Sequence, residues 1–422
     1  MITMILYQKN RRYLLLAALL VICVILILGN HLITTEKVDR KQPSIESYLA
    51  EYIIKKVEIS RGICSVLGCN NLELAIELTQ SSGLFMHILD PDIKEVATAK
   101  IDVDVNGQYG KRIVVEKGTF NRLPYADNTV DLVIAAHLKE HSLEEVSLAE
   151  ILRVLRPNGK AVLGRSKKQE PFSDTPSIRQ LENWLQSAHI SDYRIIDDSY
   201  GLWALFIKPS LAGTDNWSHW GHGTDNNPVS TDTVISAPYM TQWLGIPFYL
   251  AMPAITTAAG GRTFLAMGHI AHHEREEKWL NTLIARNGYN GIELWSRKLP
   301  DGYLVHRSAF VATDDTFYMI DTSGNGCLLL DPETGVEKNR ISIPGLSGDW
   351  KWIAFEEGIL YALIGKEKDP PQTTLIRSQS TQWSWADLSQ GYYERRLPWG
   401  FGTTILAYDI SQKNVLWTHT EE

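Results

Sequence analysis

The sequence predicts an anchored molecule of two folded parts: an apolar N-terminal segment, an α/β unit on a mostly parallel sheet, and a C-terminal all-β region. Three observations predict it. Residues 13–29 form an uncharged apolar run; from about residue 60 to 165 short apolar runs alternate with helical spacing; after Leu211 helical spacing largely disappears and one turn pattern recurs. Strands that alternate with helices give a parallel sheet covered on both faces, whereas recurrent short strands give stacked β units.

The totals agree. A chain of 422 residues is too long for one ordinary core. Its formal net charge of -8 argues against nucleic acid as a partner, because phosphate binding needs a basic footprint. Most of the 13 Trp fall after residue 200, so the two parts differ in kind. The four cysteines, Cys23, Cys64, Cys69 and Cys327, make no disulfide framework and are expected as free thiols. No Cys/His spacing of a zinc site is present, and no metal is expected.

Residues 1–35 read as a cytoplasmic N-terminus and transmembrane anchor. Lys9, Arg11 and Arg12 precede the apolar run, which extends through His31 toward Ile33 and so reaches the about 20 residues a bilayer needs. An uncleaved anchor is favoured over a cleaved signal, since no A-x-A-like site follows and no small residues precede Cys23. The cationic cluster places the N-terminus in the cytoplasm and the bulk of the chain in the periplasm or otherwise outside. Lys37, Arg40 and Lys41 follow closely, so the charge bias is slight.

Residues 36–210 form the α/β unit. Strands are expected at 63–67, 85–89, 112–116, 130–135 and from 160, with helices at 72–78, 93–99 and from 137 through 155. A helix and a returning strand pair at 181–207 close the sheet near Pro209. Ligands of such sheets sit at the carboxyl ends of the strands, where an acidic residue after the second strand can accept both ribose hydroxyls of a nucleoside. Asp90 and Asp92 are placed there.

The segments VLGCNNLELA, HILDPD, LPYADNTVDLVIAAHLKEH and LAEILRVLRPNGKAVLG resemble a class I S-adenosylmethionine-dependent methyltransferase with a Rossmann-like sheet, over about residues 60–165. The resemblance implies S-adenosylmethionine as cofactor, lined by Gly68, Cys69, Asn70, Asp90, Pro91, Asp92, Thr119, Phe120 and Ala135. Against the family's D-x-G-x-G-x-G loop, Val66 replaces the acidic residue and Asn70 and Leu72 replace two glycines. Leu72 is expected to strain the loop, because a side chain at φ > 0 costs energy. Thr119 replaces an acidic residue that the family places near adenine. His137 and His141 are spaced i, i+4 on the expected helix, with packing or surface the favoured reading and no catalytic residue assigned.

Residues 211–422 form the β region. RNGYNGIELW (286–295), LLDPETGVEK (329–338) and AYDISQKNVLW (407–417) each join two strands by a tight polar turn, interrupted by an insertion near 367–400. The turn resembles the pyrroloquinoline-quinone-like repeat of quinoprotein-dehydrogenase β-propellers and of non-enzymatic outer-membrane assembly propellers. The resemblance implies three or four blades, an incomplete propeller, with a fragment of a longer product favoured over closure by a partner. Bound pyrroloquinoline quinone is not expected. The dense stretch 215–228, with His219 and His222, and the group His269, His272 and His273 read as packing.

Three functions follow in order. The first is a membrane-anchored S-adenosylmethionine-dependent methyltransferase-like protein with a propeller interaction module that takes a protein partner. The second is a non-catalytic envelope binding or assembly protein with a degenerate methyltransferase domain. The third is a quinoprotein-type oxidoreductase.

Overall fold

The computed structural model describes residues 44–167, 174–248, 250–271, 273–300, 303, 305, 309–346, 348–365, 375–376 and 402–421. The apolar run 13–29 and most of the insertion 367–400 lie outside these residues. Among the described residues no helix is long and apolar enough to cross a membrane.

The first part is one seven-stranded sheet, made by β1 (Arg61–Leu67), β2 (Gly83–Asp90), β3 (Ile113–Lys117), β4 (Val130–Ala135), β5 (Leu155–Ser166), β6 (Tyr193–Asp197) and β7 (Gly201–Ile207). Its order is β3-β2-β1-β4-β5-β7-β6. The first five strands run parallel, and β7 enters antiparallel between β5 and β6. Period-two alternation splits β4 between two cores. Leu132 and Ile134 face the layer of α1 (Ile45–Val57), α2 (Leu72–Ser81) and α3 (Ile93–Val105). Val133 and Ala135 face α4 (Leu148–Val154) and α5 (Ile178–Ser187).

The helices start where side chains satisfy their orphan N–H groups. Ser44 Oγ accepts from Ser47 N at 3.1 Å, Asp92 Oδ1 from Lys94 N at 2.8 Å and Ser147 Oγ from Glu150 N at 3.2 Å. Ser147 also explains one departure from expectation. The sequence predicts a continuous helix from residue 137 through 155; instead a short 3-10 turn, Glu140–Glu144, precedes a separate α4. Ser147 caps a new helix there, and Ser142 Oγ accepts from Lys139 N in the turn before it.

Among its described residues the second part holds three sheets, each built on a four-stranded antiparallel meander. They are β8 (Met252–Ala259) to β11 (Glu293–Lys298) through β9 (Arg262–Ala271) and β10 (Thr282–Asn287); β12 (Phe310–Ala312), β13 (Phe317–Ile320), β14 (Cys327–Leu330) and β15 (Glu337–Ile341); and β16 (Asp349–Glu356), β17 (Ile359–Gly365), β19 (Thr404–Asp409) and β20 (Asn414–Thr420). The two-residue β18 (Leu375–Ile376) pairs parallel with the end of β9. One core runs through all three, with Phe264 stacked on Phe317 at 4.5 Å and Phe310 beside it. The middle sheet packs against both others, and among the described residues the three do not close into a ring.

Each recurrent turn of the sequence joins the last two strands of its sheet, and each carries a bulge at the same place, between Ala285 and Arg286, Leu329 and Leu330, or Ala407 and Tyr408. The first side chain of each turn folds it by accepting a backbone N–H: Asn287 from Tyr289, Asp331 from Glu333 and Thr334, Asp409 from Gln412. Indoles link consecutive units. Trp295 Nε1 donates to Pro332 O at 3.0 Å, and its ring lies where a side chain on Gly335 would stand. Trp243, in the connector, treats the first turn in the same way, donating to Gly288 O at 2.9 Å over Gly291.

That first turn docks the second part on the first. Asp131, fully buried at the start of β4, accepts from Ile63 N at 2.8 Å and Arg156 Nε at 2.5 Å within its own sheet. It also accepts from Asn287 Nδ2 and Asn290 Nδ2, each at 2.7 Å, and Asn290 reaches Thr129 O at 3.0 Å. Burial pushes the Asp131 carboxyl upward against the pull of Arg156. Four N–H donors nevertheless fill the about four lone-pair sites of the carboxylate, which leaves no place for a proton, so the group is ionised. Gly62 makes the room, since a Cβ there would lie 2.2 Å from Asp131 Oδ2.

Asn287→Asp keeps the turn but sets a second carboxylate against Asp131. Its expected effect is a loss of about 3–5 kcal/mol in denaturant unfolding, with tryptophan fluorescence and far-ultraviolet dichroism parting into separate transitions. Coincident, unshifted transitions would mean that the turn does not couple the two parts. Burial depresses His137, His219 and His269 to about 4 each. Unfolded imidazoles protonate near 6.5, so stability is full above that pH and declines as pH falls toward 4. His219→Gln should flatten that decline in urea midpoints measured across this window.

Candidate functional site

The site lies at the carboxyl rim of β1, β2 and β4, at the opposite ends of the strands from Asp131. The chain leaves β1 through Gly68, whose φ of 97° only glycine adopts readily; its N–H donates to Leu89 O at 2.8 Å. A 3-10 turn, Cys69–Asn71, leads into α2. Leu72 corrects an expectation of the sequence: it has φ -60° and ψ -47°, an ordinary right-handed conformation at the first residue of the helix. Asn70 is not left-handed either. The loop relieves both side chains by tightening into a 3-10 turn, so their presence carries no backbone strain.

Asn71 holds that turn shut. Its buried side chain donates to Leu67 O at 2.7 Å and to Asn70 Oδ1 at 3.0 Å, and accepts from Ala136 N at 3.0 Å just beyond β4. Sequence reasoning passed over Asn71. The available sign was a second polar residue at a strand-to-helix turn, where a buried amide must find partners.

Asp90, the last residue of β2, faces the turn. One carboxylate oxygen accepts from Cys69 N at 2.8 Å and the other from Asp92 N at 2.9 Å. Asp92 spends its own carboxylate on capping α3, and Pro91 between them is exposed. Gly118 N donates to Asp90 O at 3.0 Å, bringing the chain after β3 alongside. A Cβ on Gly118 would meet Leu89 at 3.0 Å. Thr119 beyond it is exposed, and Phe120 is half-buried against the second core layer. Ala135 ends β4, buried beside the Asn71 contact. Gly68, Cys69, Asp90 and Asp92 thus come together through hydrogen bonds, whereas Thr119 and Phe120 form the neighbouring wall.

The thiols and imidazoles are not poised for attack. Cys64, Cys69 and Cys327 are free and buried, and burial with the nearby Asp90 raises Cys69 to about 12. His137 sits on the extended chain before the 3-10 turn, bridged to Arg165, so it shares no helix face with His141. Burial, Arg165 and Lys139 keep it neutral. His141 is exposed and pairs with Asp174 at 3.1 Å. Among the described residues no three His, Cys, Asp or Glu side chains converge as metal ligands.

A family model described as a methyltransferase domain matches residues 66–163, the stretch that contains this rim. Solved structures similar to the chain include a protein of Methanococcus maripaludis assigned as an S-adenosyl-L-methionine-dependent methyltransferase, at 23% identity and TM-score 0.35, covering 40% of this chain and 86% of that one. Another is a SAM-dependent methyltransferase from Aquifex aeolicus, at 21% identity and TM-score 0.31, covering 38% and 91%. No curated protein matches the chain. The α/β part thus has a Rossmann-like sheet, and residues 66–163 of it match a methyltransferase domain model.

The rim fits the nucleoside half of S-adenosylmethionine. Each Asp90 oxygen has accepted one N–H, and an ionised carboxylate offers about four lone-pair sites, so two vicinal hydroxyls can still be held. At the amino-acid half, Cys69 N is committed to Asp90 and Asn71 closes the turn on itself. Asn71→Ala should strand buried polar groups of Leu67 and Ala136 and destabilise the domain by about 1–3 kcal/mol in denaturant titration, with faster amide exchange confined to the turn. Unchanged exchange at Ala136 would show that Asn71 does not brace it.

Proposed function

We propose that the α/β part binds S-adenosylmethionine chiefly through its adenosine half and belongs to a membrane-anchored methyltransferase-like protein. The observation that carries this reading is Asp90 at the end of β2, hydrogen-bonded to the Gly68 turn in a sheet of order β3-β2-β1-β4-β5-β7-β6. When bound, the cofactor supplies a methyl group on a sulfonium. The chain's part is positioning: Asp90 holds the ribose hydroxyls, and the wall of Gly118, Thr119 and Phe120 borders the base.

Calorimetry on the full chain tests this. S-adenosylmethionine, its demethylated product and adenosine should all bind, with adenosine retaining most of the affinity, and Asp90→Ala should weaken each by about tenfold or more. No heat from any of the three at millimolar concentration would sink the proposal.

A second reading, a non-catalytic binding or assembly protein at an envelope, draws on the connector between the two parts. Residues 233–261 carry no charge. Ile235, Tyr239, Met240, Leu244 and Phe248 are each more than half exposed, which is the mark of an interaction surface. In this reading residues 13–29 anchor the chain, the three β sheets form blades of a propeller module that engages a protein partner, and the bulk of the chain lies outside the cytoplasm. Protease protection in sealed vesicles separates the readings. Because S-adenosylmethionine is made in the cytosol, an active enzyme requires the globular part on that side, whereas external exposure favours the binding protein.

A further inference from the structure

The connector 215–228 is fastened far more firmly than an irregular linker requires. Asp215 accepts from His222 Nε2 at 2.8 Å, Ser230 Oγ at 2.9 Å and Thr231 N at 2.7 Å. His219 and His222 pair through their backbones, and Trp217 pairs with Ala258 of β8. Across the gap His219 Nε2 accepts from Phe355 N at 3.1 Å, and Thr224 Oγ1 donates to Glu356 Oε2 at 2.7 Å, both on β16. The fastened loop and β16 enclose a cavity of about 270 Å³.

The lining has a definite character. Trp220, 39% exposed, and the half-buried Trp352 border it, with Phe310 as apolar floor. Thr224, Asn226 and the backbone of the loop glycines add hydroxyl, amide and peptide groups. His219 contributes no charge: its Nε2 accepts a backbone N–H, its Nδ1 shares a hydrogen with Ser218 Oγ, and burial lowers it to about 4. Glu356, which accepts from the lining Thr224 hydroxyl, adds a carboxylate beside the cavity that repels anions and can accept hydroxyl groups. The volume lies near the lower end for small-molecule sites, the size of one ring.

We propose that this cavity binds a neutral polyhydroxylated ring, a single sugar unit, with an apolar ring face against Trp220 or Trp352 and hydroxyls met by Thr224, Asn226 and Glu356. Apolar indole faces beside a few convergent polar groups suit a molecule with one apolar face and a polar perimeter. The site is separate from the Asp90 rim and stands whether or not that rim binds its nucleoside.

The test uses the full chain in a zwitterionic, sugar-free detergent, with saturation-transfer NMR and tryptophan fluorescence. The probes are glucose, galactose, mannose and N-acetylglucosamine, each free and as its methyl glycoside, with indole and tetramethylammonium as comparators. At least one sugar should bind saturably, with Kd on the order of millimolar as expected for about a dozen heavy atoms. Trp220→Ala and Asn226→Ala should each weaken it by about tenfold, with the melting temperature unchanged. Equal binding of the methyl glycoside would assign the unit to a glycan, and preference for the free form would assign it to a free sugar. The proposal is overturned if no sugar binds at about 100 mM, if either comparator binds better than every sugar, or if a sugar binds equally well to both variants. Should Trp220→Ala lower the melting temperature, Asn226→Ala alone decides.

Discussion

A buried carboxylate is the constraint around which this molecule is arranged. Asp131 stands at the entry to the central strand β4 and gathers donors from β1, from β5 and from a turn about 156 residues further along the chain. An ionised group in such a place is tolerable only when every lone pair is met, and here each is. Removing any one donor therefore leaves a buried charge incompletely compensated, which is much costlier than losing an ordinary surface hydrogen bond. The requirement extends even to Gly62, where any side chain would occupy the space of the carboxylate.

The first turn shows how a repeated unit is fitted to that demand. Its relatives in the other two sheets use Asp331 and Asp409 to fold the same turn. Asn287 makes the equivalent bond through its amide oxygen and has an N–H left over, which it gives to Asp131. Aspartate at 287 would fold the turn equally well and face its neighbour with like charge. A single polar exchange thus turns a structural repeat into a docking element.

Much of the α/β part was legible because its code is local. The apolar runs and the Asp90-Pro91-Asp92 stop each fix an element within a few residues, whereas β5 starts at Leu155 and not at the expected residue 160. The recurrent β turns were legible for the same reason, and they fall at equivalent positions in three sheets. The conformation of Leu72 was not, since a family's glycine spacing predicts φ > 0 only if the loop keeps the family's path. The helix expected from residue 137 was interrupted by Ser142 and Ser147, whose capping preference outweighed the apolar spacing. The partners of Asp131 and of Asn71 could not be read at all, because their contacts join segments distant in the chain.

β4 has a further consequence. At one end Asp131 grips the β turn; at the other, the N–H of Ala136 holds the Asn71 amide that closes the rim. Five residues of extended chain separate these points, about 17 Å. The strand is paired on both sides and buried throughout, so it cannot lengthen or bow without breaking its ladders. The rim loop and the β turn are in effect fixed to the two ends of one stiff rod. Any tug on the asparagine at one end is borne by a strut whose far end is bolted to the other half of the molecule.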